Sequence, residues 1–255
     1  MTRLLAVLTT GAAALAIISA MPAAAAGTVK NVVLVHGAWA DGSGWRPIYD
    51  ILKADGYNVR MVQNPLTSLA DDVAATDRVL DRLDGPTILV GHSYGGQVIT
   101  EAGDHANVVG LVYVEAFMPD VGESAFTMIP QDPNHPPPFD FGEDGYVFFS
   151  EGAFVEGFAN GMPVADAEFM RDSQVPISLK AGATPVTVAA WKEKPTWYQT
   201  SDADHAIPPQ LQEMMFTRAG STVEKVSGGH LAFITNAQAT ADLIEKAATA
   251  VGPLN

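Results

Sequence analysis

Two kinds of apolar pattern alternate along the chain after residue 27. "NVVLVH" (31–36), "TILVG" (87–91) and "VVGLVYVEA" (108–116) are short continuous apolar runs, the pattern of strands buried on both faces of a parallel sheet. "YNVRMVQ" (57–63), bounded by Gly56 and Pro65, reads as a further strand, as do "TWYQT" (196–200) and "STVEKV" (221–226). Helical spacing fills the gaps. A helix is predicted over 45–54, and another starts at an N-cap on Ser68, with Leu69, Val73, Leu80 and Leu83 on one face up to Gly85. Further helices follow over 94–102, from near Pro208, and over 236–250. Strands alternating with helices predict an α/β chain with a mostly parallel sheet and helices on both faces.

The alternation stops between 119 and 194. That stretch shows no strand signal, contains the proline-rich "PQDPNHPPP" (130–138), and gathers aromatics such as Phe126, Phe139, Tyr146, Phe149, Phe154 and Phe158. It is too long for an ordinary loop and too apolar for a linker. The expectation is a partly helical cap inserted into a single domain over 27–255. Neither strand-helix block closes a core without the other.

The N-terminus, "MTRLLAVLTTGAAALAIISAMPAAAAG", has a basic Arg3, an apolar run over 4–20 and small residues before Gly27. This is the pattern of a secretory signal peptide, 1–26, cleaved after Ala26. The run is short and alanine-rich for a membrane span. An exported protein, periplasmic or secreted, without stable membrane association is therefore expected. The chain has no cysteine, which excludes disulfides, thiolate chemistry and cysteine-ligated zinc. Its formal charge of −15 repels phosphate backbones, so nucleic acid is not an expected partner.

Within "ILVGHSYGGQVI" (88–99), "GHSYG" follows a predicted strand and opens a predicted helix. In G-x-S-x-G, small residues at Gly91 and Gly95 let strand and helix approach while the serine holds a strained turn, which makes Ser93 the candidate nucleophile. A serine hydroxyl needs a base, itself oriented by a carboxylate. His230, in the glycine-loosened "VSGGHLAF" after the last strand, is placed to reach over the strand ends. His36 and His92, beside glycines at strand ends, read as structural or pocket-lining. For the carboxylate, "TSDADHAIPP" offers Asp204, with Asp202 in reserve and Glu115 as a third candidate at the end of its strand. Asp202, Asp204 and His205 sit in one turn, but such a set is more often solvated than metal-binding, and no metal is expected. The order Ser, Asp, His along the chain is that of α/β-hydrolases.

An oxyanion hole needs two backbone N–H groups, and the candidates are Tyr94, just after the nucleophile, and Ala38 in "HGAWADGSGW". Trp39 either walls the pocket or packs the core, and Trp45 reads as core. In the cap, Phe126, Phe154 and Trp191 are candidates for the substrate pocket.

Together "VVLVHGAWADGSGW", "ILVGHSYGGQVI", "VYVEAFMP", "TWYQTSDADHAIPPQLQ" and "VSGGHLAF" resemble the small α/β-hydrolase serine esterases, a group that includes EstC-like carboxylesterases, plant methyl-salicylate esterases and hydroxynitrile lyases. The resemblance runs from about 31 to 243. It implies Ser93, Asp204 and His230 as a triad, with the aspartate three residues before Ile207 preferred over Asp202, and Ala38 and Tyr94 as oxyanion donors. The lyases of the group carry a threonine and a lysine where this chain has Gly37 and Leu231. The expectation is a secreted serine carboxylesterase that uses no cofactor and acts on small to medium apolar esters through an acyl-enzyme. Its rivals are a C–C lyase and a non-catalytic small-molecule binder of the same fold.

Overall fold

The computed structural model describes residues 28–130 and 136–251. The expected leader and the centre of the proline-rich stretch, His135 included, lie outside the described residues. A six-stranded sheet organises the chain in the order β2-β1-β3-β4-β8-β9, with every pair parallel. Its strands are β1 (Asn31–Val35), β2 (Asn58–Val62), β3 (Thr87–His92), β4 (Val108–Val114), β8 (Thr196–Ser201) and β9 (Thr222–Val226). β1, β3 and β4 are buried throughout, as their continuous apolar runs require, and β8 is buried throughout although half of its residues or more are polar, whereas the edge strands β2 and β9 are partly exposed.

The sheet is covered by α1 (Arg46–Ala54), α2 (Leu69–Leu80), α3 (Gly95–Ala102), α8 (Pro209–Ala219) and α10 (Ala237–Ala250). α1 packs on α10, and α2 on α3. Ser68 caps α2 as its sequence position suggests, its hydroxyl oxygen accepting the Asp71 N–H at 3.1 Å. Because all the strands of this sheet run the same way, their C-terminal ends open on one rim. The loops after β1, β3, β4, β8 and β9 carry His36 to Asp41, Ser93, Glu115, Asp204 and His230 to that rim. In open parallel sheets this rim is where ligands bind.

The segment between β4 and β8 departs from the expectation of a strandless, partly helical cap. It does contain the short helices α4 (Ala125–Met128), α5 (Glu151–Ala153), α6 (Val164–Asp172) and α7 (Leu179–Ala183). It also contains a second, antiparallel sheet of β5 (Phe139–Phe141), β6 (Tyr146–Phe149) and β7 (Ile177–Ser178). These strands are too short for a two-residue alternation to stand out in the sequence. What holds them is packing: Phe139 and Phe149 lie 5.0 and 5.3 Å from the Trp39 ring, centroid to centroid. The cap is also tied to the main-sheet loops by backbone bonds, Trp39 N–H to Val175 O and Ser178 N–H to Leu66 O.

Candidate active site

Ser93 sits in the turn from β3 to α3 with φ +54°, a conformation that side chains rarely adopt. Two close approaches force it. A Cβ at Gly91 would lie 2.5 Å from the Gly95 oxygen, and one at Gly95 would lie 2.5 Å from the Val35 oxygen. Only glycine at both positions lets α3 start so near β3 and β1. The same crowding fixes Gly37, whose Cβ would stand 2.7 Å from that of Ser93.

The hydroxyl of Ser93 is 2.9 Å from His230 Nε2, and His230 Nδ1 is 2.9 Å from Asp204 Oδ2. Every other partner of the Asp204 carboxylate is a donor: the N–H groups of Ala206 and Ile207 on Oδ1, and Gln212 Nε2 on Oδ2, all at 2.8 Å. The carboxylate therefore accepts from His230 Nδ1–H, which leaves Nε2 free to accept from Ser93. Both His230 and Asp204 have side chains with no exposed surface. The structure thus brings together the three residues singled out in the sequence. Asp202 instead accepts from Ser227 and Gly228 in an exposed turn.

Ala38 and Tyr94 line the same small space as Ser93, and neither backbone N–H donates to an acceptor among the described residues. Two free donors beside a nucleophile are what an oxyanion needs. The loop bearing Ala38 is fixed from below: His36 Nδ1–H donates to Gly37 O at 2.8 Å, and His36 Nε2 accepts the Asn64 N–H at 2.9 Å. Burial lowers the affinity of His36 for a second proton, consistent with both its ring nitrogens being committed. His92 is likewise pushed well down by burial, and its Nε2–H holds the His230 carbonyl at 3.0 Å.

Two positioning residues were not legible in the sequence. Gln212, on the first turns of α8 and fully buried, links Asp204 to Thr200 and to the Ile207 carbonyl. Its place facing the sheet in "PPQLQ" is the only sequence signal. Asp72 accepts from the Tyr94 hydroxyl at 2.7 Å and from the Leu66 N–H at 2.8 Å. Burial pushes its carboxyl up to about 6 and pushes the Tyr94 phenol well above its ordinary value. Glu115, the third acid candidate, has a strained φ of +41° and is fully buried. One of its oxygens accepts from Gln199 Nε2 at 3.2 Å, and the other has no partner among the described residues. Burial holds its carboxyl well above the usual range, reinforced by the charge of Asp204, and it does not bond to His230.

The space at Ser93 is about 20 Å³, lined by Trp39 from the loop after β1 and by Phe126, Phe139 and Phe149 from the cap. Trp39 and Phe126 thus stand where a pocket wall was expected, but Phe154 and Trp191 do not. Phe154 is buried behind Phe149 and Phe158, at 5.8 and 4.9 Å, and contributes cap core. Trp191 donates its indole N–H to Pro119 O at 2.8 Å and sits under Arg218 and Lys192 at the foot of the cap. Both are corrections to the sequence reading, since aromatic content alone does not distinguish a pocket wall from the packing behind it. Trp45 is buried as expected, against Phe233. Among the described residues no cluster of acidic groups and histidines has the arrangement of a metal site.

This geometry can be set beside known proteins. A family model described as the alpha/beta hydrolase family matches residues 32–243. The chain belongs to the alpha/beta hydrolase family. A carbendazim hydrolyzing esterase of Nocardioides sp. is 34% identical over 117 residues, 40% of this chain and 48% of that one. A pyrethroid hydrolase of Sphingobium wenxiniae is 32% identical over 127 residues, 44% and 45% of the two chains. The aligned segments span about half the length of these relatives. Among solved structures, a pyrethroid hydrolase from Sphingobium faniae superposes with TM-score 0.70 at 23% identity over 88% of this chain and 98% of its own. Polyneuridine aldehyde esterase gives 0.69 at 18%, covering 86% and 98%. At such identities these two likenesses concern the fold.

Proposed function

We propose that this alpha/beta hydrolase is a serine carboxylesterase for small to medium apolar esters, working through an acyl-enzyme. The observation that carries the reading is the unbroken chain from Ser93 Oγ to His230 Nε2 and from His230 Nδ1 to Asp204, with two uncommitted N–H donors beside the hydroxyl. In the reaction, Ser93 attacks the ester carbonyl while His230 takes its proton, and Asp204 holds the imidazole in the required tautomer. The N–H groups of Ala38 and Tyr94 receive the developing oxyanion. His230 then gives the proton to the departing alcohol, and a water activated by the same nitrogen releases the acid. The names of the curated relatives, an esterase and a hydrolase, support the ester class.

The apolar lining at Ser93 supports neutral, apolar acyl groups. A C–C lyase reading would call for a cation to receive departing cyanide, and the residue after His230 is Leu231, buried and apolar. Export belongs to the same proposal and rests on the leader-like pattern of residues 1–26. The test is hydrolysis of p-nitrophenyl butyrate by residues 27–255. Activity that falls by about a thousandfold in Ser93→Ala, as when a triad member is removed, supports the reading. Equal activity in both forms overturns it.

A further inference from the structure

Around Ser93 there is room for about one water molecule, in a space of about 20 Å³. No ester fits there without movement. A second cavity of about 310 Å³ lies on the far side of Trp39, walled by Trp45, Met170, Leu231, Phe233 and Ile234. That volume is at the lower end of the range for small-molecule sites. Trp39 lines both spaces.

The partition is attached to the cap. Trp39 N–H donates to Val175 O at 3.1 Å, and its indole N–H to Val147 O at 2.9 Å. Its ring centroid lies 5.0, 5.3 and 5.8 Å from those of Phe139, Phe149 and Phe158. All these partners belong to the segment between β4 and β8. Its own backbone is held at φ +59°, so the indole is kept in place by the cap against a backbone preference. A shift of β6 that releases the bond to Val147 would free the indole to leave the wall between the two spaces.

The side of the nucleophile on which the second cavity lies is set by His230. In acyl transfer the leaving oxygen takes its proton from the base, so the alcohol limb projects past the histidine. His92, whose ring lies 4.7 Å from that of His230 and 4.4 Å from that of Phe233, lines the second cavity together with Leu231 and Phe233 and so joins the histidine side to it. Resting on the ester-hydrolase reading above, we propose that Trp39 is a gate and that the cavity behind it receives the alcohol limb of the substrate, a neutral aryl-alkyl group. The carboxylates of Asp41 and Asp166 at its rim disfavour an anionic limb.

Three esters test this: methyl acetate, 4-phenylbutyl acetate and methyl 4-phenylbutyrate, the last carrying the same aryl chain on the acyl side. Filling the cavity by Met170→Trp is expected to lower kcat/KM for 4-phenylbutyl acetate about tenfold or more, the scale of a pocket misfit. The two methyl esters should stay within about twofold of wild type, which also shows that the variant folds. Ile234→Trp repeats the test from the opposite wall. Trp39→Ala should raise the ratio of 4-phenylbutyl acetate to methyl acetate. Equal losses on both acetates, or a loss confined to methyl 4-phenylbutyrate, overturn the assignment. Should the wild type hydrolyse neither these three nor p-nitrophenyl butyrate, the esterase reading fails on its own. Calorimetric titration with 4-phenylbutan-1-ol then decides the cavity: saturable binding weakened by Met170→Trp supports it, and no binding, or equal binding in both forms, overturns it.

Discussion

At the strand ends, Asp204 is held by four donors and His230 is bonded through both ring nitrogens and its carbonyl, and neither of the two side chains has exposed surface. The cap above is made differently. Its strands run for three, four and two residues, and its coherence comes from rings packed mostly edge-on or tilted against one another, while Phe141 and Phe169 remain 64% and 72% exposed. Directional bonds allow one arrangement of the reacting groups. Aromatic packing allows several arrangements of nearly equal energy, which suits a surface that must admit substrate to an enclosed nucleophile. The contrast teaches that changes to the hydrogen-bonded triad and its supports should alter the rate on every ester, and changes in the cap and in the residues packed against it the choice among esters.

The strongest way to break that contrast is at Gly37. Gly37→Thr places a Cβ against Ser93, and misplacement of a nucleophile by about 1 Å costs on the order of a hundredfold. Loss of that size on methyl and aryl esters alike, with the melting temperature measured alongside, is the expected outcome. A selective loss would move Gly37 to the specificity side.

Asp72 probes the rim through pH. Its carboxyl is pushed up to about 6 in the folded chain, so the neutral form is favoured there relative to the unfolded state. That contribution is complete below about pH 4 and is lost as pH rises through about 6, an amount on the order of 3 kcal/mol. Asp72→Asn does not ionise. The difference in unfolding free energy between variant and wild type should therefore shift in the variant's favour by that order between pH 4 and pH 7.5. A difference independent of pH contradicts the account.

Gln212→Met keeps the volume but removes the donor to Asp204. Loss of a hydrogen bond to a charged group predicts about a tenfold or larger fall in kcat, uniform across esters. The smallest effect belongs to the cap surface. Val164→Ser should leave methyl acetate hydrolysis within about twofold of wild type, since exposed substitutions away from packing rarely matter. A large loss there would tie the cap surface to the chemistry.

The rim was largely legible from sequence because its residues carry local signals. Glycines flank Ser93 and Gly37 precedes Ala38, for steric reasons that act within a few residues. Gln212 and Asp72 left no such mark, since their roles depend on contacts with Asp204 and Tyr94 from distant elements. The cap's sheet was missed because its pairing is non-local and its strands are short. Phe126, Phe154 and Trp191 share the aromatic content that marks a pocket candidate, and packing alone puts Phe126 beside Ser93 and the other two elsewhere. The split of one space from another by Trp39 is a property of packing that no spacing in the sequence expresses.

The most direct measurement is covalent labelling of residues 27–255 with a fluorophosphonate, read by mass spectrometry, in the wild type and in His230→Ala. An activated serine predicts one adduct per chain located on Ser93, and labelling slowed by about a thousandfold or more when the base is removed. No adduct on Ser93, or equal labelling in both forms, would contradict the claim that the strand-end site is a working nucleophile.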